Sequence, residues 1–70
     1  MISVVIRLHW EFKGIGTLCL KQKFGSIGAA EAFMQSAAAS NSFLEAHEEK
    51  TPEQSIYVNV KYVAYFRCYK

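Results

Sequence analysis

A small α+β domain, with one helix packed on one face of a single-layer antiparallel sheet of three or four strands, is predicted by three features of this 70-residue chain. Apolar and polar residues alternate from Ile2 to Phe12 and again from Ile56 to Cys68. Between these runs, from Ile27 to Ala38, the apolar residues recur at helical spacing. Two glycine-bearing junctions, KGIGT and FGS, separate the first two strands from each other and from the helix.

The first strand carries Ile2, Val4, Ile6, Leu8, Trp10 and Phe12 at even positions, with Ser3, Val5, Arg7, His9 and Glu11 between them. That is the signature of a half-buried strand, with Trp10 in the buried phase as a core anchor. The two glycines of KGIGT suit a tight connection, and in the second strand, TLCLKQKF, Leu18, Leu20 and Phe24 keep one phase. Setting Phe12 beside Leu18 and Trp10 beside Leu20 leaves Gly14, Ile15 and Gly16 as a three-residue loop, with Gly16 in the left-handed position. On the other face that register puts Arg7 opposite Lys23, His9 opposite Lys21 and Glu11 opposite Cys19. Like charges in such pairs cost stability.

Ser26 is the expected N-cap of a helix whose apolar positions are Ile27, Ala30, Phe33, Met34, Ala37 and Ala38. The run AAASNS interrupts it, because serine and asparagine side chains compete for the backbone. FLEAHEEK is expected to resume the helix with Phe43 and Leu44 against the core, and TPEQ to form a loop in which Pro52 stops any helix before it. In the final run, SIYVNVKYVAYFRCYK, Ile56, Val58, Val60, Tyr62, Ala64, Phe66 and Cys68 form the inner face, and a bulge or short turn near Lys61 splits it in two. The topology is β-β-α-β or β-β-α-β-β. The last strand runs antiparallel beside the first in the order 2-1-3, at an edge open to another chain.

Residues 58–63, VNVKYV, resemble a stretch near the end of LytTR DNA-binding domains. The likeness covers six residues of one element, and the helix before it departs from that family's all-strand core, so no residue role is carried over.

A chain of this length makes one domain and buries only about 60% of its unfolded surface, so its stability is marginal. Disulfides, metals or self-association commonly support such scaffolds. Cys19 and Cys68 form no CxxC pair, and His9 and His47 lie far from both, so neither a metal site nor a cofactor site is legible. The start, MISVVIRLHWEF, has neither the cationic lead of a signal peptide nor the apolar length of a membrane span, which points to a cytoplasmic protein with reduced thiols. A homodimer through the last strand or the open face is the remaining route to stability.

Charge is segregated along the chain. Residues 1–24 and 55–70 set Arg7, Lys13, Lys21, Lys23, Lys61, Arg67 and Lys70 against Glu11, a balance of +6. The middle, residues 25–54 and expected to be helical, sets Lys50 against Glu31, Glu45, Glu48, Glu49 and Glu53, a balance of −4. With the helix on the even side of the sheet, the odd side is left open. Its candidate partner-binding or anion-binding residues are Arg7, His9, Lys21, Lys23, Tyr57, Lys61, Tyr65, Arg67 and Tyr69. Cations neutralise carboxylate or phosphate, while rings stack or pack. The plain alternative is a solvated sheet face rich in ordinary strand residues, but Val5, Val63 and the tyrosines make that face unusually apolar for one left bare.

The function expected from this pattern is non-enzymatic binding of a larger protein partner or an anionic ligand by a small regulator or inhibitor. Its size class is that of phage-encoded anti-defence proteins such as anti-CRISPRs. DNA or RNA binding by the same face is the rival. A thiol enzyme built on Cys19, His9 and Glu11 is disfavoured, since an exposed sheet lacks the water-excluding pocket and oxyanion donor such chemistry needs.

Overall fold

Alternation at period two becomes a sheet only where neighbouring strands share one phase, and here five segments do so. The computed structural model describes residues 1–9 and 16–70. In chain order the elements are β1 (Ser3–Leu8), β2 (Thr17–Leu20), α1 (Ile27–Ser40), β3 (Phe43–His47), β4 (Ile56–Asn59), a 3-10 turn (Val60–Tyr62) and β5 (Val63–Tyr69). The strands form one antiparallel sheet in the order β4-β3-β2-β1-β5, with α1 on one face. The α+β class is as expected, and the last strand does lie beside the first at an edge. Among the described residues the sheet has five strands where three or four were expected, and β3 and β4 extend the expected order 2-1-3 beyond β2.

The added strand is β3. FLEAHEEK does not resume the helix: Leu44 and Ala46 are buried while Phe43 and Glu45 are exposed, an alternation that suits a strand. Helical propensity in Leu, Glu and Ala yields here to tertiary pairing, because β3 satisfies β2 on one side and β4 on the other. What forces the switch is Asn41, which adopts left-handed backbone at φ 55° and ψ 44°. The Asn41 N–H donates to Ala38 O and the Ser42 N–H to Ala37 O, closing the last helical turn as a Schellman motif and reversing the chain. At the other end the Ser26 hydroxyl accepts from the Ala29 N–H at 3.1 Å, the expected N-cap.

The hairpin register differs by six residues from that expected. Arg7 faces Thr17, Ile6 faces Leu18 and Val5 faces Cys19, so Arg7 is not opposite Lys23, and the partner of Cys19 is Val5 in place of the expected Glu11. Nor is His9 opposite Lys21: the His9 N–H donates to Tyr62 O and the Lys21 N–H to Glu45 O. A shift by an even number leaves every side chain on its own face, so the hydrophobic pattern could not discriminate the two registers. The observed one joins Ile2 to Phe24 in the core and gives Arg7 a hydroxyl neighbour in place of a cation. Gly16 belongs to the ladder, accepting from the Leu8 N–H at 2.9 Å. The expectations for Trp10, Glu11, Phe12 and the turn at Gly14 and Ile15 lie outside the described residues.

A turn near Lys61 does split the final run. The Asn59 side chain accepts from the Lys61 N–H and starts the 3-10 turn, and β5 follows with a register shift against β1 between Arg7 and Leu8. The shift sets Val63 opposite Leu8 and packs it against the core, so Val63 leaves the open face and Ala64 becomes exposed.

Among the described residues, Val4, Ile6, Leu18, Leu20 and Leu44 are the largest side chains sealed from solvent. Each such burial stabilises the fold by about 1.5–3 kcal/mol. The helix covers them with Ala30, Met34 and Ala37, and Phe33 meets Phe24 with ring centroids 5.2 Å apart. Ile27 and Ala38, expected on that inner stripe, are exposed. No helix among the described residues is long and apolar enough to cross a membrane.

Candidate functional site

The sheet face opposite α1 is built from the odd residues of β1 and their partners. Across the ladders Arg7 stands between Thr17 and Tyr65, Val5 between Cys19 and Arg67, and Ser3 opposite Tyr69. These residues enclose a shallow dish of about 240 Å³, floored by Val5 and bounded by Arg7, Thr17, Tyr65, Arg67 and Tyr69. Its cations are held by neutral groups. Arg7 donates from Nη1 to Thr17 Oγ1 at 3.3 Å, and the Arg67 guanidinium carbon lies 5.9 Å from the Tyr65 ring centroid. Neither guanidinium is paired with a carboxylate among the described residues.

That arrangement leaves most of ten guanidinium N–H donors, five per arginine, facing an open concavity. A ring-to-guanidinium contact at an exposed site stabilises by only about 0.5–1 kcal/mol, enough to bias the Arg67 rotamer without consuming its donors. Tyr65 and Tyr69 are half-exposed, offering both ring surface and a phenolic hydroxyl. A planar, doubly hydrogen-bonding anion is the chemistry such a pair of forks accommodates.

Of the nine residues predicted for the site, Arg7, Tyr65, Arg67 and Tyr69 are brought together at this dish. Lys23 adjoins it, donating from Nζ to Ser3 Oγ at 3.1 Å, with Ser3 opposite Tyr69. Lys21 is turned away, donating to Pro52 O at 2.9 Å in the loop after β3. His9 is half-buried just beyond the end of β1. Lys61 lies in the 3-10 turn with its ammonium 5.1 Å from the Tyr62 ring centroid, outside the sheet proper. Tyr57 sits on β4, at the opposite edge of the sheet from β5.

The expected charge map also changes in one respect. Only Glu31 of the acidic group is on the helix; Glu45 is on β3, opposite Tyr57, and Glu48, Glu49 and Glu53 are in the loop that follows. The polarity therefore runs along the sheet, from a cationic β1–β5 end to an acidic β3–β4 end. Two neighbours escaped sequence reasoning. Thr17 orients Arg7, which the shifted register alone reveals, and His47 pairs across β2–β3 with Cys19, which the helical reading of residues 43–50 concealed. His47 Nδ1 is engaged with Glu48 O at 2.8 Å.

By architecture the chain belongs among one-helix α+β domains with an uncovered antiparallel sheet face. No protein-family model, curated protein or solved structure matches it.

Proposed function

We propose that this chain is a small non-catalytic docking protein, a regulator or inhibitor in kind, that binds a larger protein partner through carboxylates seated at the β1–β5 end of its open face. The observation that carries this reading is the pair of arginines flanking Val5 without an acidic partner among the described residues, between two half-exposed tyrosines. Arginine and tyrosine are the residue types that most often dominate binding energy at protein interfaces. Self-association would add stability to so small a core by mass action.

Nucleic acid is the second reading, favoured by the exposed rings of Tyr57, Tyr65 and Tyr69. Salt separates the two. Two arginines releasing counterions from a single strand give a log–log slope of about −1.4, whereas a dedicated nucleic-acid binder making 6–10 phosphate contacts loses roughly three to five orders of magnitude between 50 and 200 mM salt. Fluorescence anisotropy with poly-glutamate and with mixed-sequence single-stranded DNA measures this directly. Binding of poly-glutamate that is lost in the Tyr65→Ala, Arg67→Glu double variant, with an unchanged circular dichroism spectrum, is the expected result. Equal affinity of the native chain and the double variant for poly-glutamate would remove the reading.

A further inference from the structure

The outer edge of β5 adjoins both the dish and a second concavity. That second one is a groove of about 350 Å³ on the helix side, lined by Met34 and Ala38 of α1, Val60, and Val63, Ala64 and Phe66 at the start of β5. Tyr65 borders both.

The direction of the backbone groups follows from two hydrogen bonds. The Leu8 N–H donates to Gly16 O, toward β2, while the His9 N–H donates to Tyr62 O, toward β5. Because these groups alternate in direction along a strand, Ser3, Val5 and Arg7 bond toward β5, and their partners Tyr69, Arg67 and Tyr65 return those bonds. Phe66 and Cys68 then direct their N–H and C=O groups away from β1, to an edge that carries no further strand among the described residues.

We propose that an extended acidic segment of a partner protein adds to this edge as a sixth strand. Its alternate apolar side chains enter the groove between α1 and β5, and its intervening carboxylates lie beside Arg67 with Arg7 behind. Strand addition takes affinity from main-chain bonds and specificity from pockets for every second side chain, and this edge has a different pocket on each face. Charge selects the occupant. A second β5 would bring Arg67 and Lys70 twice to one junction, and like charges across a strand pair are destabilising, whereas glutamates present the opposite sign. The charge half of this inference rests on the proposed function; the edge and the groove do not.

The probe is the peptide acetyl-(Glu-Val)3-Glu-amide, titrated into the full chain labelled with nitrogen-15. Residues of the added strand opposite Phe66 and Cys68 share their face and their bonds, so the valines both fill the groove and donate to β5. Saturating peptide is expected to slow amide exchange at Phe66 and Cys68 at least tenfold. N-methylation of the valines, or lysine in place of glutamate, is expected to weaken binding at least tenfold. So is Ala38→Phe, at an exposed helix position lining the groove.

If the peptide shifts Arg7 and Arg67 signals but tolerates N-methylation and leaves Phe66 and Cys68 exchange unchanged, strand addition is overturned while the open-face reading stands. Poly-glutamate binding with no response to the peptide does the same. Absence of any response to either probe overturns both. A doubled mass, with concentration-dependent protection of those two amides in the free chain, means that a second copy covers the edge and overturns the acidic-segment proposal.

Discussion

Asn41 shows how much one residue decides in a chain this small. Its left-handed backbone ends α1 and aims the chain back along the sheet, a conformation that costs other non-glycine L-residues roughly 1–2 kcal/mol. Asn41→Gly is therefore expected to leave stability within about 0.5 kcal/mol or raise it slightly, since the Asn59 side chain bonds the Asn41 carbonyl, which glycine retains. Asn41→Val is expected to destabilise by about 1–2 kcal/mol, read as a lower urea midpoint at constant slope. Ser26→Ala is the matching test at the other terminus, with an expected cost of about 1 kcal/mol from the orphaned Ala29 N–H. Equal midpoints for the glycine and valine variants would show that position 41 is not held left-handed in solution.

At the scale of elements, the segment from Phe43 to His47 separates strand from helix most sharply. A helical reading places Phe43 and Leu44 together on the core, whereas in β3 Leu44 is 1% exposed and Phe43 66%. Leu44→Ala is expected to cost about 2–5 kcal/mol, and Phe43→Ala no more than about 0.5 kcal/mol, in equilibrium denaturation. Comparable losses would contradict the strand. The same contrast explains what was legible in the sequence and what was not. Faces were legible, because period-two alternation survives any even shift of register: Val4, Ile6, Leu18 and Leu20 turn inward in either pairing. Register was not, because it depends on loop length. β3 was hidden because Leu44, Glu45 and Ala46 favour helix over strand, and only the chain reversal at Asn41 and the pairing with β2 and β4 select that state. The gathering of Arg7, Tyr65, Arg67 and Tyr69 followed from phase, since β5 lies beside β1 as expected. The departure of Lys61 and Val63 did not, because the 3-10 turn and the bulge break phase midway.

For the molecule as a whole, the polarity of the sheet sets a condition on how the cationic end meets an anion. Glu48, Glu49 and Glu53 lie in the loop after β3, and Glu48 and Glu49 share a concavity with Thr17, the dish residue that holds Arg7, whereas Arg67 on β5 stands two strand spacings, about 10 Å, beyond Thr17. At 0.15 M ionic strength the screening length is about 8 Å, so those carboxylates act on an anion only at the Thr17 side of the dish; at 0.01 M it is about 30 Å, and their repulsion reaches across to Arg67. The triple variant Glu48→Gln, Glu49→Gln, Glu53→Gln is therefore expected to bind poly-glutamate several-fold more tightly than the native chain at 0.01 M, with a clearly smaller gain at 0.15 M. Arg67→Gln is expected to weaken binding at both. The loop substitutions leave the core untouched, since these positions contribute no buried side chain, so a difference in affinity is not a difference in folding. An equal gain at both ionic strengths would mean that the glutamates act on the ligand directly. In that case the acidic end of the sheet would be part of the binding surface, and the division of this face into a receiving end and a repelling end would not hold.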